Sequence, residues 1–313
     1  MTKFIKNPLS PLQMKSTIYV IGSSNTDMVI KSNKLPAPGE TIIGGNFIMS
    51  AGGKGANQAV AAAKLGAKVL FVSKVGNDIF GKQALQGFKD VGINTDFVFT
   101  DPDSASGIAL ILVDGKGENS ISVASGANAN LHFSEVEKAI ESVQMEDIVL
   151  LQLEIPINTV NKTIKFCSEK GAKVILNPAP AQKLDTEYFK YLSMITPNET
   201  EAEILTGIKV TDLSTAKQAA NDFHNKGILE VIITMGSKGA FYSNMDKQVL
   251  IPSPKVSAVD STAAGDVFNG ALCVAISEGQ AIEEAIGFAC KAASISVTRM
   301  GAQASAPTRE EVL

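Results

Sequence analysis

Histidine and cysteine are scarce in this chain, with two of the first and three of the second among 313 residues. His132 and His224 stand far apart and in no ligand-like cluster, which argues against a histidine-dependent triad or a zinc site. His132 precedes Ser134 and Glu135, a pattern that belongs at a helix entry. Cys167, Cys273 and Cys290 are an odd, widely spaced set in apolar surroundings and read as buried reduced thiols, not disulfides or metal ligands. An excess of positive charge is also missing. Lys and Arg number 28 against 32 Asp and Glu, dispersed along the chain, so there is no basic face for nucleic acid. No apolar run reaches membrane-spanning length, and Lys3, Lys6 and Asn7 interrupt the segment where a signal peptide needs an apolar centre. These absences exclude nucleic-acid and membrane partners and point to the cytoplasm. Pro8, Pro11 and scattered lysines make residues 1–17 an expected loose extension ahead of one domain over residues 18–313.

What is present is a regular alternation. Short apolar runs at 18–21, 69–72, 148–151, 174–176, 194–195 and 231–234 predict strands, and 56–65, 157–169 and 216–226 predict helices between them. Strand and helix in turn predict an α/β, Rossmann-like fold: a mostly parallel sheet flanked by helices on both faces. Two regions break the rhythm. Residues 28–50, with strands expected at 28–30 and 41–43, and residues 107–125, with 108–113 turning at Asp114-Gly115 into 119–123, lack helices. They predict a small antiparallel sheet projecting from the main domain. Such a sheet leaves Ile42, Phe47, Ile108 and Leu110 without cover, which a symmetric partner would supply, so a homodimer is expected.

The segment 259–271 carries the most chemistry. An apolar strand precedes it and an Ala-rich apolar helix from Phe268 follows, which puts Ala263, Ala264 and Gly265 in a helix's first turn. Unpaired amides and the positive dipole end make that turn an anion site, and Asp266 sits inside it. A carboxylate there is suited to take a proton from a hydroxyl while the amides hold charge on a transferred phosphoryl group. An ordinary first-turn acid has the same local pattern. Gly52-Gly53-Lys54-Gly55-Ala56-Asn57 sets glycines where backbone can approach a ligand, with Lys54 and Asn57 suited to a polyol, or else forms a plain strand-to-helix turn. Asn25 and Asp27 follow the first strand at the carboxyl edge where open parallel sheets bind ligands, on one side of an extended chain; an Asx turn is the rival. Glu154 ends another strand. Asn198 and Glu201 have capping-box spacing. Thr234-Met235-Gly236-Ser237-Lys238-Gly239 suits close approach by a nucleotide, or a hairpin turn. Gly76 to Lys82 fits Gly-x4-Gly-Lys but lacks the Ser or Thr of a phosphate loop and carries bulky Ile79 and Phe80, so it is set aside. No Gly-x-Gly-x-x-Gly follows the first strand, which removes a dinucleotide-dependent oxidoreductase.

Asp260-Ser261-Thr262-Ala263-Ala264-Gly265-Asp266 and Ala51-Gly52-Gly53-Lys54-Gly55-Ala56-Asn57-Gln58-Ala59 together resemble the two signatures of the PfkB family of sugar kinases. Further similar blocks, among them Asn177-Pro178-Ala179-Pro180-Ala181 and Pro197-Asn198-Glu199-Thr200-Glu201, fall in family order from about Ile18 to the C-terminus. The resemblance implies ATP-dependent phosphorylation of D-ribose at O5, with Asp266 as base and the amides from Ala263 to Asp266 as anion hole. It implies that Asn25, Asp27, Gly53, Lys54, Asn57 and Glu154 touch the sugar and that the small sheet is a lid over it. Asn198 and Glu201 are then expected to hold Mg²⁺ through water. Thr234, Gly236, Ser237, Gly239 and Gly265 border ATP, with Cys290 near the base at a position where the family often carries histidine. Asp260, Thr262, Ser296, Arg299, Gly301 and Ser305 match positions around an activating K⁺. A kinase for deoxyribose, fructose or adenosine is the nearest rival. A catalytically silent sugar-binding protein is the other, and Asp266 argues against it.

Overall fold

The computed structural model describes residues 16–313. The extension expected over residues 1–17 lies outside the described residues apart from Ser16 and Thr17, whose amide donates to Asp147 Oδ1 at 2.7 Å. In chain order the first elements are β1 (Ile18–Ile21), β2 (Asn25–Lys31), β3 (Asn46–Gly52), α1 (Lys54–Lys64), β4 (Val69–Gly76), α2 (Ile79–Asp90) and β5 (Asn94–Asp101). Then come β6 (Gly107–Val113), β7 (Asn119–Ala124), α3 (Phe133–Ile140), β8 (Ile148–Leu151), α4 (Ile157–Glu169), β9 (Lys173–Leu176) and β10 (Met194–Ile195). The rest are α5 (Glu199–Thr206), α6 (Leu213–Asn225), β11 (Glu230–Thr234), β12 (Ala240–Ser243), β13 (Gln248–Ile251), α7 (Ala264–Ser277), α8 (Ile282–Ser296) and α9 (Arg309–Val312).

Nine strands form one sheet in the order β13-β12-β11-β10-β9-β8-β1-β4-β5. Pairing is parallel throughout except at β11–β12 and β12–β13. Central strands covered on both faces carry apolar residues at every position, as β1 and β8 do with Ile-Tyr-Val-Ile and Ile-Val-Leu-Leu. Alternation then divides them between two cores. Ile18, Val20, Ile148 and Leu150 join Ala59, Ala271 and Ala289 from α1, α7 and α8, while Tyr19, Ile21, Val149 and Leu151 join Ile164 and Phe223 from α4 and α6.

The second sheet has the order β3-β2-β6-β7. It consists of two antiparallel pairs, β2–β3 and β6–β7, joined by a parallel seam between β2 and β6. Residues 41–43, expected as a strand, are not one. The segment lies outside the ladder because β2 pairs with residues 46–52, beyond Gly44 and Gly45, and Ile43 is left 95% exposed. The register assigns the two faces of this sheet. Asp27 lies opposite Ser50 and Ala109, so it shares a face with Asn25, whereas Met28 lies opposite Met49 and Leu110, and Ile30 opposite Phe47. The face away from Asp27 is therefore the apolar one, with Phe47 62% and Leu110 55% exposed.

Candidate active site

Both sheets end at the same cleft. The chain leaves β1, passes Gly22 to Ser24, and enters β2 of the small sheet with Asn25 and Asp27 at its start. It returns along β3 and enters α1 at Gly53, whose φ of 88° and close approach to Asn25 N leave no room for a side chain. Across the cleft α7 begins at Ala263, the only described non-glycine residue with positive φ, at 59°. That left-handed turn costs on the order of 1 kcal/mol. It aims the first turn of α7 at the cleft. Small residues let α1 and α7 approach closely, and a Cβ on Gly270 would lie 2.7 Å from the Gln58 carbonyl. This packing brings Asn57 and Gln58 onto Asp266. Asn57 Nδ2 donates to Asp266 Oδ2 at 2.9 Å and Gln58 Nε2 to Oδ1 at 3.0 Å. Asn57 Oδ1 is buried and has no partner among the described residues.

A cavity of about 160 Å³ opens over Asp266, walled by Lys54, Asn177, Asn198, Glu201, Thr234 and the turn from Ala263 to Gly265. The anion hole is narrower than the sequence implied. The Ala264 amide donates to the Ser261 carbonyl at 3.2 Å, so the donors left without a protein acceptor among the described residues are those of Ala263, Gly265 and Asp266. A second cavity, of about 390 Å³, lies under the small sheet between Asn25, Val123, Asn128, Glu154, Pro156 and Pro180.

Four carboxylates surround one ammonium here. Burial pulls the Lys54 pKa down, but Asp266, Glu154, Glu201 and Asp27 outweigh it and hold the group above its ordinary value. Burial raises the Asp266 carboxyl, opposed by Lys54 and by the amides of Asn57 and Gln58. Asp27 is pushed up to about 6, by burial first and then by the charges of Glu154 and Asp266. Burial also raises Glu201, against the Asn198 amide and Lys54. A site of this kind, with raised carboxyls around one cation, can accept a proton and offers a single ammonium to an anionic group.

The residues singled out in the sequence fall into three groups. Asp266, Ala263, Ala264, Gly265, Lys54, Asn57, Asn198, Glu201 and Thr234 converge on the first cavity or on Asp266. Asn198 and Glu201 do form a capping box, each backbone amide bonded to the other's side chain at 2.8 Å, and Glu201 remains a wall of the cavity. Asn25 and Glu154 wall the second cavity, while Asp27 and Gly53 line neither and lie next to them, Asp27 against Gly52 and Gly53 against the Asn25 amide. Glu154 Oε2 accepts from the Lys54 amide at 2.9 Å and from the Ser23 hydroxyl, which ties it to the start of α1. The third group stands apart. Gly236, Ser237 and Gly239 form a turn closed on itself by Met235 N to Gly239 O at 2.8 Å. Cys290 is 4% exposed in the core between α7, α8 and the sheet, and walls neither cavity. Asp260 binds the Thr262 amide and the Gly301 amide, both at 2.9 Å, so it pins the approach to α7 onto the loop after α8. Burial would raise the Asp260 carboxyl, but these bonds hold it below its ordinary value. Arg299 pairs with Glu311, while the hydroxyls of Ser296 and Ser305 bond to carbonyls three residues back, at 2.9 and 2.8 Å. Gly76 to Lys82 is structural, since Asp78 caps α2 through Gly81 N at 2.8 Å and holds Ser106 N at 2.7 Å.

Sequence reasoning missed Gln58, Asn128 and Gln152. Asn128 Oδ1 accepts from Ser24 N at 2.9 Å and its Nδ2 donates to Asn25 Oδ1 at 2.8 Å, which fixes the start of β2. The available signal was a polar residue inside an otherwise buried apolar run, as Gln58 is in α1.

Residues 15–309 match the model of the pfkB family carbohydrate kinases. A ribokinase of Haemophilus influenzae is 47% identical over 96% of this chain and 98% of its own length. A deoxyribokinase of Salmonella typhi is 41% identical, over 94% of this chain and 96% of that protein. The structure of Arabidopsis thaliana ribokinase complexed with ribose and ATP superposes with a TM-score of 0.86 at 33% identity, covering 95% of this chain and 97% of that one.

Proposed function

The chain belongs to the pfkB family of carbohydrate kinases, and from that premise we propose that it transfers the γ-phosphoryl group of ATP to O5 of D-ribose. The observation that carries this reading is Asp266 in the first turn of α7, facing a cavity and held by two buried amides. The amides of Asn57 and Gln58 hold the two carboxylate oxygens, and the carboxylate itself lines the cavity that Lys54 and the turn from Ala263 to Gly265 also wall. A sugar hydroxyl seated over Asp266 donates its one proton to that carboxylate. Asp27, Asn25, Lys54 and Glu154, with the Gly53 backbone, take the other hydroxyls. As the proton passes to Asp266, the amides of Ala263, Gly265 and Asp266 and the Lys54 ammonium face the charge gathering on the phosphoryl group.

The donor sets fit the expected ions. Glu201 has one oxygen tied to the Asn198 amide and walls the cavity beside Asp266, which suits a magnesium ion that keeps its waters. When bound, Mg²⁺ would neutralise phosphate charge. The loop pinned by Asp260, with Thr262, Ser296, Arg299, Gly301 and Ser305, offers carbonyl and carboxylate oxygens suited to K⁺, which would stiffen the approach to α7. Thr234 and the turn at Gly236, Ser237 and Gly239 flank the nucleotide. Residues 18–313 act as one kinase domain in the cytoplasm, with β2, β3, β6 and β7 as a lid. The apolar face of that lid, opposite to Asp27, builds a two-fold dimer. No helix among the described residues is long and apolar enough to cross a membrane.

The identity with a deoxyribokinase makes 2-deoxyribose the second substrate to weigh. Coupled ADP release is therefore measured on ribose, deoxyribose, fructose and adenosine, each in potassium and in sodium salt at equal ionic strength. Ribose is expected to give the highest kcat/KM, and potassium to raise it. A higher kcat/KM for another substrate reassigns the sugar, and equal rates in both salts remove the cation.

A further inference from the structure

Below Asp266 runs a chain of buried side-chain amides whose direction is set by a single main-chain carbonyl. Asn177 Nδ2 donates to Thr196 O at 3.2 Å, so Asn177 Oδ1 faces Gln58. Gln58 Nε2 donates to Asn177 Oδ1 and to Asp266 Oδ1, each at 3.0 Å, so Gln58 Oε1 faces Gln152. Gln152 Nε2 donates to it at 2.5 Å. A backbone carbonyl only accepts. No amide in the chain can turn over without setting oxygen against oxygen.

Gln58 and Gln152 are both fully buried, and neither walls the cavity over Asp266. Gln152 Oε1 has no partner among the described residues and lies against the Gly22 backbone. An unpaired buried carbonyl is a cost that an apolar residue, following Ile-Val-Leu-Leu of β8, would avoid. That cost is intelligible through the other end of the same amide, which fixes Gln58. The charged groups facing Asp266 are Lys54 from α1, Asp27 from β2, Glu154 beyond β8 and Glu201 from α5. They act through space and do not set the plane of its carboxylate. Asn57 holds Oδ2 and Gln58 holds Oδ1.

We propose that Gln58 is a positioning residue that fixes the plane of the Asp266 carboxylate, and that Gln152 acts on the reaction only through Gln58. The inference rests on Asp266 as base and deepens that reading: the base is aimed before the sugar arrives.

The test uses Gln58→Met, Gln152→Met and the double variant in the full chain, with Asp266→Asn alongside. Methionine keeps the volume of each side chain and removes the amide. Gln58→Met is expected to lower kcat by about 10- to 100-fold with the KM for ribose and for ATP within about twofold of the parent. Gln152→Met is expected to lower kcat less, and the double variant to match Gln58→Met, because a residue that acts through another adds nothing once that one is gone. A normal kcat in Gln58→Met, a rise in KM at unchanged kcat, or multiplied losses in the double variant overturns the proposal. If thermal melting shows Gln58→Met unfolded, Gln152→Met decides alone: a kcat loss at unchanged KM supports the chain and a normal kcat overturns it. An inactive Asp266→Asn beside a normal Gln58→Met sinks only this inference, whereas an active Asp266→Asn removes the base assignment itself.

Discussion

The two sheets differ in composition, with apolar residues at every position of β1 and β8 and polar residues mixed into β2, β3 and β7, and they end in opposite states. Every position of β1 and β8 is buried, and every position of β7 is exposed. Connection goes with composition. Parallel neighbours require crossover segments, and those helices cover the strands they join, whereas β2–β3 and β6–β7 are joined by helix-free segments, residues 32–45 and 114–118. Function divides along the same line. Asp266 stands on the covered side, with each carboxylate oxygen held by a buried amide, while Asp27 stands at the start of the small sheet among two carboxylates, Glu154 and Asp266, and the Lys54 ammonium. On the proposed reading, the chemistry lies on the covered side and sugar reading at the start of the small sheet.

The sharpest test of that division is Asp266→Asn. Loss of the base with the fold intact is expected to lower kcat by about 10² to 10⁴-fold while the ribose KM stays near that of the parent. Near-normal turnover would dissolve the distinction between a catalytic and a reading side.

Asp27→Asn probes the reading side and is expected to weaken ribose binding by about 1 to 3 kcal/mol, seen as a higher KM with ATP saturating. Its pH behaviour has a definite sign. With the Asp27 carboxyl pushed up to about 6, the ribose KM of the parent rises as pH falls below about 6, because the protonated group loses acceptor capacity. For stability the sign is opposite. A folded pKa above the ordinary 3.8 contributes stability that is present below 3.8 and lost as pH rises through about 6. Asp27→Asn is therefore expected to melt higher than the parent near pH 8, by up to about 3 kcal/mol, with the gain vanishing toward about pH 4. Equal melting curves at both pH values would show that Asp27 is not strained in the unliganded site.

The smallest expected effect falls on the lid's outer face. Leu110→Glu puts a charge among Met28, Ile30, Phe47 and Met49, and is expected to weaken dimerisation and raise the ribose KM together. Light scattering that finds the parent monomeric and fully active at assay concentration would leave the lid as a flap within one chain.

Much of this was legible in the order of residues. Runs of four apolar residues marked the central strands, the Asn198 and Glu201 spacing marked a helix start, and Asp266 beside small residues marked an anion site. Such signals are local, since period, capping and turn chemistry act within a few residues. The double glycine at Gly44 and Gly45 shows the limit: Thr41 to Ile43 have strand composition, yet the ladder starts beyond them, because pairing belongs to two strands and not to one.

By itself, then, the sequence determined the alternating architecture, the helix-bound carboxylate and the kinase signatures, all of which are written in neighbours along the chain. Only the tertiary structure decided that Gln58 reaches Asp266 across 208 positions and Gln152 reaches Gln58 across 94, that Ala264 spends its amide on Ser261, and that Cys290 is sealed in the core. The physical reason is that an amide's partner is set by which helices pack and how closely. Here that means α1 against α7 at Gly270, a contact that no local periodicity encodes.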